Sequence, residues 1–201
     1  MNITLRPWNI GDAELYLDLI NRVDFSFEDD ELRCNNVDDA SFALDRMIWR
    51  EDYEGSFYRA VMSDGKVVGS VQMVRHSGIS EYDGYVGCMI AKDAAGQGIG
   101  TEAVRQMVEM SFQRRSLDRL TAIVYSPNKA SVHLVETLGF TLEATLHHAV
   151  YKNDNFCDVL VYGLLREETG IPTTGCCEPE DELSPEERAA LEPTLVPPVI
   201  L

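Results

Sequence analysis

The chain has 201 residues, 45% of them hydrophobic, and a formal net charge of −17 at pH 7. This length fits one domain with a substantial core. The negative charge argues against a nucleic-acid-binding protein, which needs a basic surface. No run of 18 or more apolar residues predicts a membrane span, and residues 1–7 lack the apolar core of a secretory signal. We therefore expect a cytoplasmic protein with neither a nucleic acid nor a membrane as partner.

The negative charge is concentrated in two segments. Residues 24–54 and residues 167–201 each carry a net charge of −8. The second segment also holds six of the eight prolines and has no long apolar periodicity, which is typical of an extension outside a packed domain. We therefore expect a folded domain over residues 1–165 and an acidic, proline-rich extension over residues 166–201.

The cysteines give information about redox state and metal binding. Their number is odd and no two follow a CxxC spacing; they are Cys34, Cys88, Cys157, Cys176 and Cys177. This pattern favours reduced thiols in a cytoplasm over a disulfide framework or a zinc site. No metal site is predicted.

Hydrophobic periodicity and turn residues predict eleven elements in chain order. The first half contains a strand at 2–6, a helix up to Val23, a helix at about 38–49, and strands at 57–62, 67–74 and 85–90. The second half contains a helix at 98–114, a strand at 120–125, a helix at 128–138, and strands at 140–152 and 156–165. The order is β-α-α-β-β-β-α-β-α-β-β, which is typical of a mixed α/β domain.

A glycine-rich loop between a strand and a helix is the most informative motif. The apolar strand ending at Ile90 is followed by Gly96-Gln97-Gly98-Ile99-Gly100-Thr101, which opens the next helix. Unpaired amides at the positive end of a helix dipole can hold a pyrophosphate, although a plain tight turn would use the same residues. A P-loop is excluded because Gly100 is not followed by Lys, and the spacing differs from a dinucleotide fingerprint.

Together with three further motifs, this loop resembles the GNAT superfamily of acyl-CoA N-acyltransferases over residues 2–165. The other motifs are Gly100-Thr101-Glu102-Ala103, Asn128-Lys129-Ala130-Ser131 and Leu138-Gly139-Phe140. The segment 151–159 is similar to the closing hairpin of the branch that holds ribosomal-protein N-terminal and spermidine acetyltransferases. The resemblance implies a single GNAT-type domain, with a mixed, mostly antiparallel, twisted sheet flanked by helices.

The resemblance also implies acetyl-CoA as the acetyl donor and co-substrate. The glycine loop would hold its pyrophosphate, the strand at 88–90 would pair with its pantetheine arm, and one amide of that strand would polarise the thioester carbonyl. Asn128 would contact the same arm, or would only cap its helix. The implied donor-binding residues are Cys88, Met89, Ile90, Gly96, Gln97, Gly98, Ile99, Gly100, Thr101, Asn128 and Ser131.

Two positions depart from the family pattern. Counted back from Gly98, the usual Gln or Arg is replaced by Ala95, a change that a cradle of backbone amides tolerates. The tyrosine that many members use to protonate the leaving thiolate is replaced by Val135. Tyr125, Tyr151 and Tyr162 are substitutes by residue type alone, and a core or strand role is expected for each.

Direct attack of an amine on a thioester needs a group that removes a proton, because alkyl amines titrate near pH 10. Glu81 and Asp83 precede the strand expected beside the thioester and are therefore the catalytic candidates. Solvated loop acids would look the same in sequence. His76 is close by, and we expect it to be an exposed loop residue.

The acceptor is expected to be a cationic small-molecule or peptide amine. In the family, the link between the first two helices forms a wall of the acceptor site, and here it contains Glu28, Asp29 and Asp30. Local negative charge attracts a cation, so polyamines fit best, and basic peptide N-termini and aminoglycosides also fit. A plain solvated acidic face would show the same charge. By resemblance we expect a homodimer.

Two other functions remain open from the sequence. Val135 in place of tyrosine is also consistent with a non-catalytic sensor that binds acyl-CoA or a polyamine without turnover. The acidic extension is also consistent with a protein-interaction module.

Overall fold

The computed structural model describes residues 2–26, 32–114, 117–152 and 154–172. The predicted acceptor-binding residues Glu28, Asp29 and Asp30 lie outside the described residues, as do Cys176, Cys177 and most of the predicted extension.

Within the described residues, seven strands and five α-helices follow one another in the predicted order, with the short last α-helix added at the end. The first six elements are β1 (Ile3–Pro7), α1 (Ala13–Arg22), α2 (Val37–Glu54), β2 (Phe57–Ser63), β3 (Lys66–Arg75) and β4 (Asp83–Ile90). The others are α3 (Ile99–Arg114), β5 (Arg119–Tyr125), α4 (Lys129–Thr137), β6 (Thr141–Lys152), β7 (Asn155–Leu165) and α5 (Arg166–Thr169). The order β-α-α-β-β-β-α-β-α-β-β is therefore confirmed.

Helix α2 is longer than the sequence predicted. It begins after Asn36, whose side chain accepts a hydrogen bond from the amide of Asp39, and it ends at Gly55 in the left-handed conformation. The apolar spacing weakens after Trp49, so periodicity alone stopped the prediction there, whereas the glycine is the true end signal.

The strands form one sheet in the order β1-β2-β3-β4-β5-β7-β6. Only the β4–β5 pair is parallel, and the other neighbouring strands run antiparallel. The predicted mixed, mostly antiparallel sheet is thus confirmed. The parallel pair lies in the middle of the sheet, where the crossover through α3 joins β4 to β5.

A hydrophobic core lies on each face of the sheet. On one face, α3 contributes Val104 and Met107 to a cluster that also contains Val86 of β4. On the other face, α1 and α2 contribute Leu19 and Leu44 to a cluster that contains Met89 of the same strand. Successive side chains of a strand point to opposite faces, so β4 separates the α3 side of the domain from the α1–α2 side.

The chain after β7 stays attached to the domain. The backbone amide of Arg166 donates to the carbonyl of Asp118 at 2.9 Å, and its side-chain Nε donates to the carbonyl of Leu117 at 2.6 Å. Cys34, Cys88 and Cys157 are not joined by disulfides within the described part of the chain. Over the same residues, no helix has the length and apolarity needed to cross a membrane.

Candidate active site

The two central strands separate after a short stretch of pairing. β4 and β5 are in register at Asp83 with Arg119, Gly84 with Leu120, and Tyr85 with Thr121. No further pair is formed between them, although β4 continues to Ile90 and β5 to Tyr125. The sheet therefore contains a V-shaped gap that begins at Tyr85 and Thr121 and widens toward the ends of both strands.

The backbone of β4 directs alternate amides into this gap. The carbonyl of Asp83 accepts a hydrogen bond from His76, and the amide of Ala91 donates to Val68, so odd-numbered residues face β3. Backbone groups of successive strand residues point to opposite sides. The amides of Cys88 and Ile90 therefore point toward β5, beyond the last β4–β5 pair. An extended chain or a carbonyl oxygen placed in the gap would meet these donors.

The glycine loop follows β4 and leads into α3. Gly96 and Gly98 adopt the left-handed conformation, with φ angles of 73° and 77°, which favours residues without a Cβ. A Cβ added at either glycine would meet no atom within 4 Å, so the space above the loop is open. The backbone conformation of the two glycines therefore determines the shape of the loop, and at Gly96 and Gly98 the loop faces open space.

The loop amides are available to a ligand. The first backbone hydrogen bond of α3 runs from the amide of Glu102 to the carbonyl of Gly98, at 3.1 Å. Within the described part of the chain, the amides of residues 96–101 donate to no acceptor. Unpaired amides at a helix N-terminus attract an anion. The predicted donor-binding residues Gly96, Gln97, Gly98, Ile99, Gly100 and Thr101 thus form a cradle of the kind that a pyrophosphate needs.

The first turn of α3 is packed closely against α4. A Cβ added at Gly100 would lie 3.2 Å from Cδ1 of Leu134 and 3.5 Å from Cγ1 of Ile90. At the start of α4, Asn128 Oδ1 accepts a hydrogen bond from the amide of Ser131, at 3.2 Å. Asn128 is therefore a helix N-cap, and only its side-chain NH₂ is left for a donor ligand.

Asp83 lies at the closed end of the gap. Its carboxylate accepts a hydrogen bond from Thr121 Oγ1 at 3.1 Å and lies 3.7 Å from Nε of Arg119. Burial raises the pKa of Asp83, while charge interactions with His76 and Arg119 and the Thr121 hydrogen bond partly oppose this shift. A half-buried carboxylate with a raised pKa can hold a proton more readily than a solvated one.

Glu81 is placed differently. It lies in the loop before β4, and its backbone carbonyl accepts a hydrogen bond from Nε of Arg75 at 3.1 Å. Among the described residues no contact links its carboxylate to Asp83 or to Cys88. The structure therefore brings Asp83, but not Glu81, into the network at the closed end of the gap.

His76 is not the exposed loop residue that the sequence suggested. Its ring lies 4.3 Å from the ring of Tyr85, centroid to centroid, at an interplanar angle of 47°. Its Nε2 atom is buried and has no hydrogen-bond partner within the described residues. The prediction was wrong because the exposure of a loop residue depends on the strand packed beside it, which here is β4. The polarity of the neighbouring residues in the sequence contains no information on that packing.

The tyrosine candidates have separate environments. Tyr162 is buried and donates to Oε1 of Glu136 at 3.0 Å, while Tyr151 is exposed and packs on Phe156. Tyr125 is buried at the open end of β5. Val135 is fully buried in the core on the α3 side, so its side chain contributes packing.

A polar hollow of about 560 Å³ lies beyond the end of β4. Its lining includes Asp24 and Ser26 after α1, Arg33 and Cys34 before α2, and Lys92 after β4. Lys92 Nζ lies 4.0 Å from a carboxylate oxygen of Asp24. Glu81, Asp83 and Cys88 do not line this hollow, so it and the β4–β5 gap are separate features of the described structure.

Comparisons with known proteins give the family and the fold of this chain. A family model described as an acetyltransferase (GNAT) domain matches residues 2–141. The prophage-derived N-acetyltransferase YokL of Bacillus subtilis (strain 168) is 29% identical over 175 residues, which cover 83% of this chain and 92% of YokL. The spermidine N(1)-acetyltransferase of Escherichia coli (strain K12) is 26% identical over 96 residues, which cover 48% of this chain and only 51% of that enzyme.

A solved structure shows the same fold. RimL, a ribosomal L7/L12 alpha-N-protein acetyltransferase in complex with coenzyme A, superposes with a TM-score of 0.74 at 17% identity, covering 82% of this chain and 94% of RimL.

Proposed function

Because the chain belongs to the GNAT acetyltransferase family, we propose that it moves an acetyl group from acetyl-CoA to a primary amine on a cationic acceptor. The observation that supports this proposal is that two sets of backbone amides follow one another along the chain, the first on β4 and the second in the loop after it. β4 points the amides of Cys88 and Ile90 into the gap, and the loop that follows it presents the amides of residues 96–101. Acetyl-CoA carries its thioester at one end of an extended arm and its pyrophosphate at the other. It therefore needs hydrogen-bond donors for the carbonyl on the strand and donors for the anion in the loop.

The donor site is formed mainly by backbone. The loop amides bind the pyrophosphate, the gap between β4 and β5 holds the extended arm, and the amide of Cys88 or Ile90 polarises the thioester carbonyl. Asn128 offers its side-chain NH₂ from the opposite wall, and Ser131 stands beside it. When bound, acetyl-CoA supplies an activated acyl group whose thiolate is a good leaving group.

Asp83 is the proposed proton acceptor, and it lies at a distance from the donor amides. At about 3.3 Å per strand residue, Asp83 lies roughly 17 Å along β4 from Cys88. Because a general base must lie within hydrogen-bond reach of the amine or one water away, this role requires the acceptor amine to approach the closed end of the gap, where Thr121 and Arg119 hold the carboxylate in place. Glu81 is the second carboxylate candidate, and it has no described contact with this network.

The acceptor is proposed to be a polyamine or a basic peptide N-terminus. The net charge of −8 over residues 24–54 supports this choice, since it attracts cations toward the part of the chain in which Glu28, Asp29 and Asp30 occur. The similarity to a spermidine acetyltransferase supports the polyamine, and the RimL fold supports the peptide.

Initial rates of thiol release with four amines test the acceptor class. Spermidine, a peptide with a basic N-terminus and an aminoglycoside are compared with a monoamine of similar length, which carries no second positive group. We expect the multiply charged amines to give the lower KM, and we expect that KM to rise with salt as charge attraction is screened. Equal KM values at all salt concentrations would contradict a cationic acceptor site.

Val135 in place of the usual tyrosine supports one alternative, namely a sensor that binds acyl-CoA or a polyamine without turnover. Calorimetric binding of acetyl-CoA with no thiol release on any amine would favour the sensor over the transferase.

A further inference from the structure

The outer face of α2 carries a row of three aromatic side chains and one arginine. The row is spaced by four, three and four positions along the helix, and it consists of Phe42, Arg46, Trp49 and Tyr53. This spacing places the four side chains, here called the outer α2 surface, on one side of the helix. Leu44, which is fully buried in the core on the α1–α2 side, lies on the opposite side of the helix. A helix that is apolar on opposite faces is normally covered on both.

The outer α2 surface forms an open hollow of about 390 Å³. Phe42 and Tyr53 are 62% and 51% exposed. Trp49 is stacked on Tyr53, with 5.4 Å between the ring centroids and an interplanar angle of 30°. The guanidinium of Arg46 lies 5.7 Å from the centroid of the Phe42 ring. Exposed aromatic side chains that lie together in this way are typical of a surface that binds another segment of protein.

The sequence contains a segment whose chemistry fits this surface. Residues 193–201, Pro-Thr-Leu-Val-Pro-Pro-Val-Ile-Leu, hold three prolines and no charged side chain, and they lie outside the described residues. Proline-rich segments dock in aromatic-lined grooves, because the fixed φ angle of proline limits the entropy lost on binding. The lack of charge matters because Asp45 and Asp52 also line the hollow. The acidic residues of the extension end at Glu192, so none of them has to approach these two carboxylates.

The chain leaves the described domain at the end of the sheet where α2 also ends. β2 begins at Phe57, shortly after the last residue of α2, Glu54. The pairs that connect β2 to β7 across the sheet are Phe57–Met73, Met73–Val86, Tyr85–Thr121 and Thr121–Gly163. Gly163 is close to the end of β7 at Leu165. The C-terminal end of α2 and the exit of the chain therefore lie at the same end of the sheet.

The stretch between the exit and residue 193 is long enough to reach the outer α2 surface. Four strand spacings separate β7 from β2, which amounts to about 19 Å. Ile171 packs on the α3 side of the sheet, so the path also passes about one helix diameter, roughly 10–12 Å, on each side. The total is roughly 40 Å, and residues 173–192 can span about 66 Å when extended.

A segment of the same chain also has a concentration advantage over a separate partner. Its effective concentration at the surface is in the mM range. A Kd of about 0.1 mM is therefore enough to keep the surface covered in about nine molecules of ten.

We propose that residues 193–201 dock on the outer α2 surface of their own chain. Pro197 and Pro198 pack against the stacked rings of Trp49 and Tyr53, and the aliphatic side chains beside the prolines cover the rest of the hollow. The acidic residues up to Glu192 then cross the end of the sheet near the closed end of the β4–β5 gap. This inference does not depend on the proposed transferase function.

Fluorescence of Trp49 reports on this contact in the full chain. The chain has two tryptophans, and Trp8 is 4% exposed with its Nε1 donating to Oγ of Ser70. The signal of a Trp49→Phe chain therefore gives the Trp8 background. Quenching by acrylamide is measured after this background is subtracted, so the quenching constant describes the access of solvent to Trp49 alone.

The test variant carries Pro197→Asp and Pro198→Asp, and the control carries Pro179→Asp and Pro185→Asp. Both variants replace two prolines of the extension and add the same charge, but only the first changes the docking segment. We expect the quenching constant of Trp49 to rise about twofold in the test variant, because the covered fraction falls from about nine tenths toward zero. The control should equal the wild type. Equal quenching constants in the wild type and the test variant would overturn the proposal.

Dilution distinguishes the same chain from a second copy. Docking within one chain does not depend on protein concentration, so the quenching constant of the wild type should stay constant over about a 100-fold dilution. A quenching constant that rises on dilution to the value of the test variant would overturn docking within the chain and would assign the surface to a second copy.

Discussion

Tyr85 and Thr121 form the last pair through which β4 and β5 are joined. Thr121 also donates to the carboxylate of Asp83, which lies near Arg119, and beyond the Tyr85–Thr121 pair the two strands separate. The Asp83 carboxylate and the amides of Cys88 and Ile90 therefore lie on opposite sides of this pair along β4. A residue of this pair can affect catalysis without touching the donor.

Gly98→Ala should weaken acetyl-CoA binding. The left-handed conformation costs a residue with a Cβ about 1–2 kcal/mol, and the loop can relieve this strain by turning its amides away from the ligand. We expect the Kd measured by calorimetry to rise about tenfold. Gly65→Ala is the control, because Gly65 has a φ of 80° and an open Cβ position in the β2–β3 turn. Equal affinities for the two variants would contradict the cradle.

Gly69→Ala should destabilise the strand that carries the donor amides. A Cβ at Gly69 would lie 2.6 Å from the carbonyl oxygen of Met89 and 2.5 Å from Cδ1 of Ile90. Overpacking of this kind costs about 1–3 kcal/mol of the free energy of unfolding. Thermal denaturation should show a lower Tm for Gly69→Ala and a near-normal Tm for Gly11→Ala, whose Cβ would meet nothing within 4 Å. Equal Tm values for the two variants would contradict this prediction and would show that β4 shifts to accommodate the added methyl group.

Two substitutions at Asn128 separate its cap from its proposed ligand contact. Asn128→Ala removes both and should cost about 1 kcal/mol of stability through the lost N-cap. Asn128→Ser keeps a capping oxygen for the Ser131 amide and lacks the NH₂ group. We expect Asn128→Ser to regain stability while it retains the weaker acetyl-CoA affinity of Asn128→Ala. Full recovery of affinity in Asn128→Ser would assign Asn128 to the cap alone.

Asp83→Asn should lower activity without lowering stability. Burial raises the pKa of Asp83, so the folded chain binds this proton more tightly than the unfolded chain does. Ionised Asp83 therefore opposes folding, and its contribution becomes less favourable as the pH rises through the raised pKa. At pH 7 we expect an unchanged or higher free energy of unfolding and a kcat/KM at least tenfold lower.

Asp64→Asn is the control for this change, because Asp64 lies in the β2–β3 turn with a φ of 48°, which asparagine tolerates. Its kcat/KM should equal that of the wild type. If Asp83→Asn is as active as Asp64→Asn, then Asp83 does not accept the proton, and Glu81 becomes the carboxylate to replace.

Local patterns predicted the fold and the position of the glycine-rich loop from sequence. The Gly96–Thr101 segment is readable because left-handed glycines and a helix start occur within a few consecutive residues. The proton network is different, since Asp83 meets Thr121 only through the parallel pairing of β4 and β5. The contact between the rings of His76 and Tyr85 depends on the same packing. Periodicity within one segment contains no information on either contact.

Transfer of an isotopically labelled acetyl group is the most direct test of the proposed function. Acetyl-CoA labelled in its acetyl group is incubated with the full chain and spermidine or a basic N-terminal peptide, and the products are separated and weighed by mass spectrometry. We predict that the label appears on the amine nitrogen of at least one acceptor, with an equal amount of free thiol. Label that remains on coenzyme A or appears only as free acetate would contradict the proposed transferase.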